Sequence, residues 1–301
     1  MGQKTEFEEP EYEGPLYNQL LNGSLNIWTP GRRFERFFGI DAALYSKNHY
    51  FWSLFGQTTQ VAGTALRNHN WHFLLRFISR HFRRFPSYNV NVLIQSKRPK
   101  HRYGVNSAYS THGITGQYWQ FEITKHQQII LEQLEQKLGS NALVIYACPA
   151  FHKFDDLDRF IASGQIIENS TFVKVSALTN HSKWVFDTAG TTGLACSEIN
   201  KHSDIPFKEM ISKLREENHK QSDYNNFDYL TTIVNEICAE NEKNPIVKAF
   251  VRRNKNLRDY FDSVRKEFVD ESNEKNYEYF LSFMSFSQFT ATLNTEWFTL
   301  L

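Results

Sequence analysis

The sequence predicts an α/β fold with a mixed β-sheet core to about residue 200 and an α-helical region beyond it. Three observations carry that expectation. Two mostly apolar runs of strand length, Asn89–Gln95 and "NALVIYACPAF" at 141–151, read as buried strands. Between them "TKHQQIILEQLEQKLGS" repeats its apolar residues at helical spacing. After about residue 205 each long segment does the same, in "PFKEMISKLREEN", "NNFDYLTTIVNEICAEN", "IVKAFVRRNKNLRDYFDSVRKEF" and "KNYEYFLSFMSFSQFTATL".

Taken in order, residues 11–22 place Tyr17, Leu20 and Leu21 at helical spacing and predict a short helix. "GSLNIWTPGRR" is a connector, and "GIDAALY" is a strand or the turn into one. Residues 58–84 read as helical, with Trp71, Leu74, Leu75 and Ile78 in a stripe, Arg76, Arg80, Arg83 and Arg84 on the flank, and Pro86 as the stop. The 89–95 strand leads into a loop, "PKHRYGVNSAYSTHGITG", and "QYWQFEI" is a short extended piece. Thr124 is a candidate N-cap for the next helix, whose stripe is Ile130, Leu131, Leu134 and Leu138 and whose stop is Gly139. "FDDLDRFIASGQ" reads as a helix capped by Asp155 or Asp156. "STFVKVSAL" and "KWVFDTAG" alternate like strands. "DTAGTTGLAC" lacks the Lys-Ser/Thr of a phosphate-binding loop and reads as a turn. The resulting division is a catalytic-looking module over 1–203, with a helical insertion at about 45–87, and a helical region over 204–301.

An aromatic content of 15%, with 26 Phe, supplies a large core and excludes wholesale disorder. No run of 18 apolar residues exists, so no membrane span is expected. The acidic opening "MGQKTEFEEPEYEG" is unlike a secretory signal, and Glu6 stands where a myristoylation motif needs Ser or Thr. Cys148, Cys196 and Cys238 lie far apart without metal-ligand spacing, which suits a reducing cytoplasm. The net charge of +1 hides a steep asymmetry: between Arg32 and Tyr103 thirteen Lys and Arg meet two acids, Glu35 and Asp41. Such a block is an electrostatic footprint for a polyanion, most simply nucleic acid.

Within that block the stretch "YNVNVLIQSKRPKHR" ends a core strand on polar groups. Side chains alternate along a strand, so Asn91, Leu93, Gln95 and Lys97 share one face. Upstream, Asp41 sits among Ile40, Ala42, Ala43 and Leu44, where an unpaired buried carboxylate would be costly. Phosphodiester hydrolysis asks for a divalent ion on hard oxygen ligands and a cation or acid–base group beside the scissile phosphate. Asp41 supplies a carboxylate and Gln95 an amide oxygen. Lys97 would lie against the attacking water. Arg98 is part of the same cationic strand end, and Lys100 and Arg102 just beyond it suit phosphate contacts.

"GIDAAL" followed by "VLIQSKRP" resembles the motifs of the PD-(D/E)XK nuclease superfamily, in its Mrr-type branch with a Gln-x-Lys element. The resemblance covers roughly residues 10–165. It implies a restriction-endonuclease-like mixed β-sheet flanked by helices. It also implies metal binding by Asp41 and Gln95, with Mg as the ion and Mn as a substitute, and assistance to the nucleophile by Lys97. The family's upstream helical Glu falls on Glu13, with Glu11 as second choice. Its polar residue on the following helix falls on Gln127 or Gln128.

The implied activity is that of a Mg-dependent DNA endonuclease of restriction or anti-phage defence type, with RNA as a substrate not excluded. Arg80, Arg83, Arg84, Arg98, Lys100 and Arg102 are the expected nucleic-acid contacts. Expected partners are a second copy in a homodimer or the other subunits of a larger defence complex, with no membrane. The rival is a catalytically degenerate DNA-binding or assembly subunit, because Gln95 is neutral where most of the superfamily has a carboxylate.

Overall fold

The structure is a computed structural model that describes residues 2–20, 27–28, 43–44, 90–218, 226–265 and 274–300. The described residues divide into two compact units, one drawn from Met1–Gly23 and Asn91–Asn218 and the other from Ser24–Val90 and His219–Leu301. The first unit therefore runs past residue 203, where the helical region was expected to begin. The insertion at 45–87 lies outside the described residues, and of "GIDAAL" only Ala43 and Leu44 are described.

Strand β1 (Gly2–Lys4) and helix α1 (Glu9–Leu20) open the chain, and a two-residue ladder pairs β2 (Ile27–Trp28) with β3 (Ala43–Leu44). Then come β4 (Val90–Ser96), β5 (Lys100–Arg102), α2 (Ser107–Ser110), β6 (Tyr118–Glu122), α3 (Lys125–Leu138) and β7 (Ala142–Pro149). They are followed by α4 (Phe154–Ser163), β8 (Ser170–Lys174), β9 (Lys183–Phe186), β10 (Gly193–Cys196), β11 (Asn200–His202) and α5 (Phe207–Asn218). The second unit adds α6 (Asn226–Glu240), α7 (Pro245–Val264), α8 (Glu274–Thr292) and β12 (Glu296–Leu300).

The two apolar runs are the centre of the first unit. β4 and β7 pair in parallel from Asn91↔Ala142 to Ser96↔Ala147, and β8 adds to β7 antiparallel. Every residue of β7 is buried, so the strand is covered on both faces and reads as continuous rather than alternating. The parallel pair needs a crossover, and α3 lies within it. Its Ile130, Leu131, Leu134 and Leu138 are buried as the spacing predicts, and Gly139 ends it at φ 54°.

A second sheet, wholly antiparallel, has the order β1-β5-β6-β9-β10-β11. Its inner face meets the first sheet through Phe121 against the Tyr146 ring at 5.7 Å and through Trp184 Nε1 donating to Thr171 Oγ1 at 3.3 Å. Gly193 makes room for Trp184: a Cβ there would stand 2.4 Å from the indole. On the other side of β8, Phe172 stacks on Phe207 of α5 at 4.1 Å. In the second unit, Phe250 of α7 meets Phe289 of α8, and Trp297 of β12 packs on Phe227 and Phe286.

Several local expectations are corrected. Helix α4 begins at Phe154 with Lys153 as N-cap, so Asp155 and Asp156 sit in its first turn instead of capping it. There they complement the positive end of the helix. Thr124 is at the N-cap of α3 but makes no side-chain capping bond. The loop after β4 contains β5 and α2, and the segment read as a turn contains β10. The end of the chain is a strand, β12, and not a helix.

Candidate functional site

Strand β4 ends where its polar residues begin, and the ladder continues one step further because Lys97 N donates to Ala147 O at 2.8 Å. The alternation therefore persists through Lys97. Gln95 is side by side with Tyr146 on β7, and the Lys97 ammonium stands 5.4 Å over the Tyr146 ring. Gln95 is 1% exposed. Lys97 and Gln95 thus share the face expected of them, at the C-terminal end of a parallel strand pair. That end of an α/β sheet is where the strands release their loops and where sites are commonly built.

Helix α1 lies across these strand ends. Tyr17 Oη and Ser96 Oγ, at the last residue of β4, are 3.1 Å apart. Tyr12 Oη donates at 2.8 Å to Ser170 Oγ, and Ser170 is the ladder partner of Pro149 at the end of β7. Tyr12 and Leu16 are fully buried, which fixes the rotation of the helix. Glu9 and Glu13 are four apart and so share one face. Both carboxylates act electrostatically on Lys97. Burial pushes the Lys97 pKa below the ordinary lysine value, and Glu9, Cys148 and Glu13, in that order, oppose the shift. Burial also drives the Cys148 thiol well above its usual value, so it stays protonated and unreactive at neutral pH.

The segment before α1 is fastened to the same strand end. β1 pairs with β5, Thr5 Oγ1 donates to Pro99 O, and Arg98 holds Glu8 Oε2 at 2.8 Å while also donating to Thr5 O. Arg98, expected as a nucleic-acid contact, is therefore engaged in holding residues 5–8 in place. Lys100 pairs with Glu122 at 2.7 Å, and Arg102 is exposed. The Lys100 pair is itself exposed, so it contributes little to stability.

Of the two glutamines expected on α3, Gln128 is buried and lies beneath the site. It accepts from Tyr146 Oη at 2.5 Å and donates to Val175 O at 3.0 Å and Glu132 Oε1 at 2.6 Å. Its link to Lys97 runs through the Tyr146 ring. Gln127 is only partly buried. Asp41, Arg80, Arg83 and Arg84 lie outside the described residues.

Two neighbours of Lys97 were not anticipated. Glu9 could have been found from its four-residue spacing to Glu13, and Tyr146 from being the one hydroxyl in an otherwise apolar strand. A third feature is a pair of stacked imidazoles, His101 on β5 and His152 after β7, with centroids 3.9 Å apart.

Glu13, Glu9 and the Gln95 amide are hard oxygen donors of the type magnesium takes. Among the described residues, however, no three His, Cys, Asp or Glu side chains gather closely enough to hold a metal ion by themselves. A metal site here would need Asp41 in addition. No family model, no curated protein and no solved structure matches this chain. The described residues define an α/β protein with a lysine-centred polar site at the ends of its parallel strands.

Proposed function

We propose that the chain is a metal-dependent nuclease with a restriction-endonuclease-like core, hydrolysing phosphodiester bonds in DNA. The observation that carries this reading is Lys97. It is a lysine with a depressed pKa, on one strand face with Gln95, with two carboxylates of α1 acting on it. Perturbed ionisable groups at such a position are the mark of sites that move protons or stabilise charge. The ion, Mg or Mn, would be held by Asp41, Gln95 and Glu13. When bound, it polarises the phosphoryl oxygen and acidifies a water. Lys97 orients that water and stabilises negative charge on the phosphate, and Tyr146 supports the ammonium from below. The parallel β4–β7 pair with α3 in its crossover, and α1 across the strand ends, fit the proposed core.

A restriction or anti-phage role, assembly as a homodimer or within a larger defence complex, and a cytoplasmic setting belong to the same proposal. Three free cysteines suit that setting. A second reading, a non-catalytic DNA-binding or assembly subunit, is favoured by the neutral Gln95.

Plasmid DNA incubated with Mg²⁺, Mn²⁺ or EDTA separates the two. Metal-dependent cleavage that disappears in Lys97→Ala and Asp41→Ala supports the nuclease. Intact plasmid with every metal, and DNA binding undiminished in both variants, supports the subunit instead. A matched RNA substrate in the same assay decides the nucleic acid.

A further inference from the structure

The antiparallel sheet sorts its charges. Register carries one row from Lys4 through Lys100, Gln120, Val185 and Leu194 to Lys201. Since alternate residues share a face, Arg102, Glu122 and Lys183 lie on the face of that row. Among the described residues, all six charged positions in the strands of this sheet are thus on its outer face, five cations against one carboxylate. The inner face carries the buried Trp119, Phe121, Trp184 and Phe186. Glu122 is held below its usual pKa, chiefly by its bond to Lys100 and further by Lys183 and Arg102. Tyr109 and Ile114 cover the middle of the outer face, leaving Lys4 and Arg102 at the β1–β5 edge beside the Lys100–Glu122 pair.

At that edge the chain leaves β5 through Tyr103, Gly104 and Val105. Tyr103 is 74% exposed and Val105 73%. The tip is built rather than frayed. Gly104 adopts φ +112°, a conformation that L side chains rarely take, and just beyond the tip Asn106 Oδ1 caps α2 by accepting from Ala108 N at 3.0 Å. Tyr103 and Val105 follow Arg102 directly in the chain, so exposed apolar surface adjoins the cationic edge and suits a ligand with both negative charge and flat apolar faces.

We infer that the β1–β5 edge and the Tyr103–Val105 tip seat a single-stranded nucleic acid, with phosphates on Lys4 and Arg102 and a base stacked on Tyr103. A single strand fits better than a duplex because only an unpaired base offers its face to an exposed ring. An anionic bilayer offers the charge but takes up a broad apolar face, and two side chains are a narrow one. This surface stands on its own geometry. Only the path of the bound strand toward Lys97, separated from β5 by Arg98 and Pro99 alone, rests on the nuclease reading.

The test is fluorescence anisotropy of labelled oligo(dT) with the full chain in EDTA, over a range of salt. Tyr103→Ala should weaken binding by about 5- to 150-fold, with Tyr103→Phe retaining most of it. Lys4→Ala and Arg102→Ala should each lower the salt slope by about 0.7. Unchanged oligo(dT) affinity in all of these variants overturns the inference. So does a wild-type chain that ignores oligo(dT) but sediments with phosphatidylserine vesicles. If binding follows Tyr103 yet no metal supports cleavage, the surface stands and the nuclease reading falls.

Discussion

Replacing Tyr146 with Phe isolates one atom of the layer beneath Lys97. The ring that the ammonium overlies remains, and the apolar packing against Phe121 is unchanged in shape. What disappears is the hydroxyl that donates to Gln128 Oε1 at 2.5 Å. Both residues are buried, so no bulk water replaces the bond. Leaving a buried acceptor without its donor costs about 1–3 kcal/mol. Since about 1.4 kcal/mol is tenfold, the most protected amides of β4 and β7 should exchange about 5- to 150-fold faster.

Hydrogen exchange suits the question because it reports the first unit separately from the second. Gln128→Met should cost more, because it also removes the bonds to Val175 O and Glu132 Oε1, and the double variant should cost less than the sum, because both changes remove the Tyr146–Gln128 bond. Exchange rates unchanged by Tyr146→Phe, or strictly additive losses, would refute the claim that Gln128 supports Tyr146 from below.

Two further outcomes follow from the same unit. The His101 and His152 rings are both held below the ordinary imidazole pKa, by burial first and then, for His101, by His152 and Lys153 and, for His152, by Lys153. Gln117 beside His101, and Asp156 and Glu6 near His152, oppose the shift. A folded pKa below the unfolded one means that the unfolded chain binds more protons, so stability falls as pH drops through about 6.5 and below. A melting series from pH 8 to pH 5 should show that fall, and His152→Gln should flatten it; a wild-type curve level across this range would contradict the assignment. Gly193→Ala drives a methyl into Trp184 and within 2.7 Å of Val185 O, an overpacking that costs about 1–3 kcal/mol. Its melting temperature should drop by several degrees, and a variant as stable as wild type would show that the indole has room to shift.

What could be read in advance was whatever the local pattern carries. β4, β7 and α3 announce themselves because a strand buried on both faces is a continuous apolar run and a one-sided helix is a periodic one. The shared face of Gln95 and Lys97 follows from the same alternation. β1, β5 and β11 were invisible because short strands such as "KHR" and "NKH" have no apolar pattern of their own. β1 and β5 are strands because they find each other across most of a hundred residues, and β11 because it folds back on β10. Glu9 escaped for a related reason, since its approach to Lys97 depends on how Tyr12 and Tyr17 set α1 across the strand ends. The engagement of Arg98 by Glu8 and Thr5 is likewise a tertiary fact. A cation-rich string cannot tell which of its members is already occupied.

The fastening of the first residues to the strand end also has a consequence in time. Thr5 meets Pro99 at a separation of 94 residues, Tyr17 meets Ser96 across 79, and Tyr12 meets Ser170 across 158. During synthesis, at about 5–20 residues per second, the opening segment emerges several seconds before β5 and longer still before β8. Until then Glu9 and Glu13 have no ordered Lys97 to face. The lysine-centred site is therefore among the last things the first unit completes, and a nascent chain stalled before residue 170 would carry its ingredients without the arrangement.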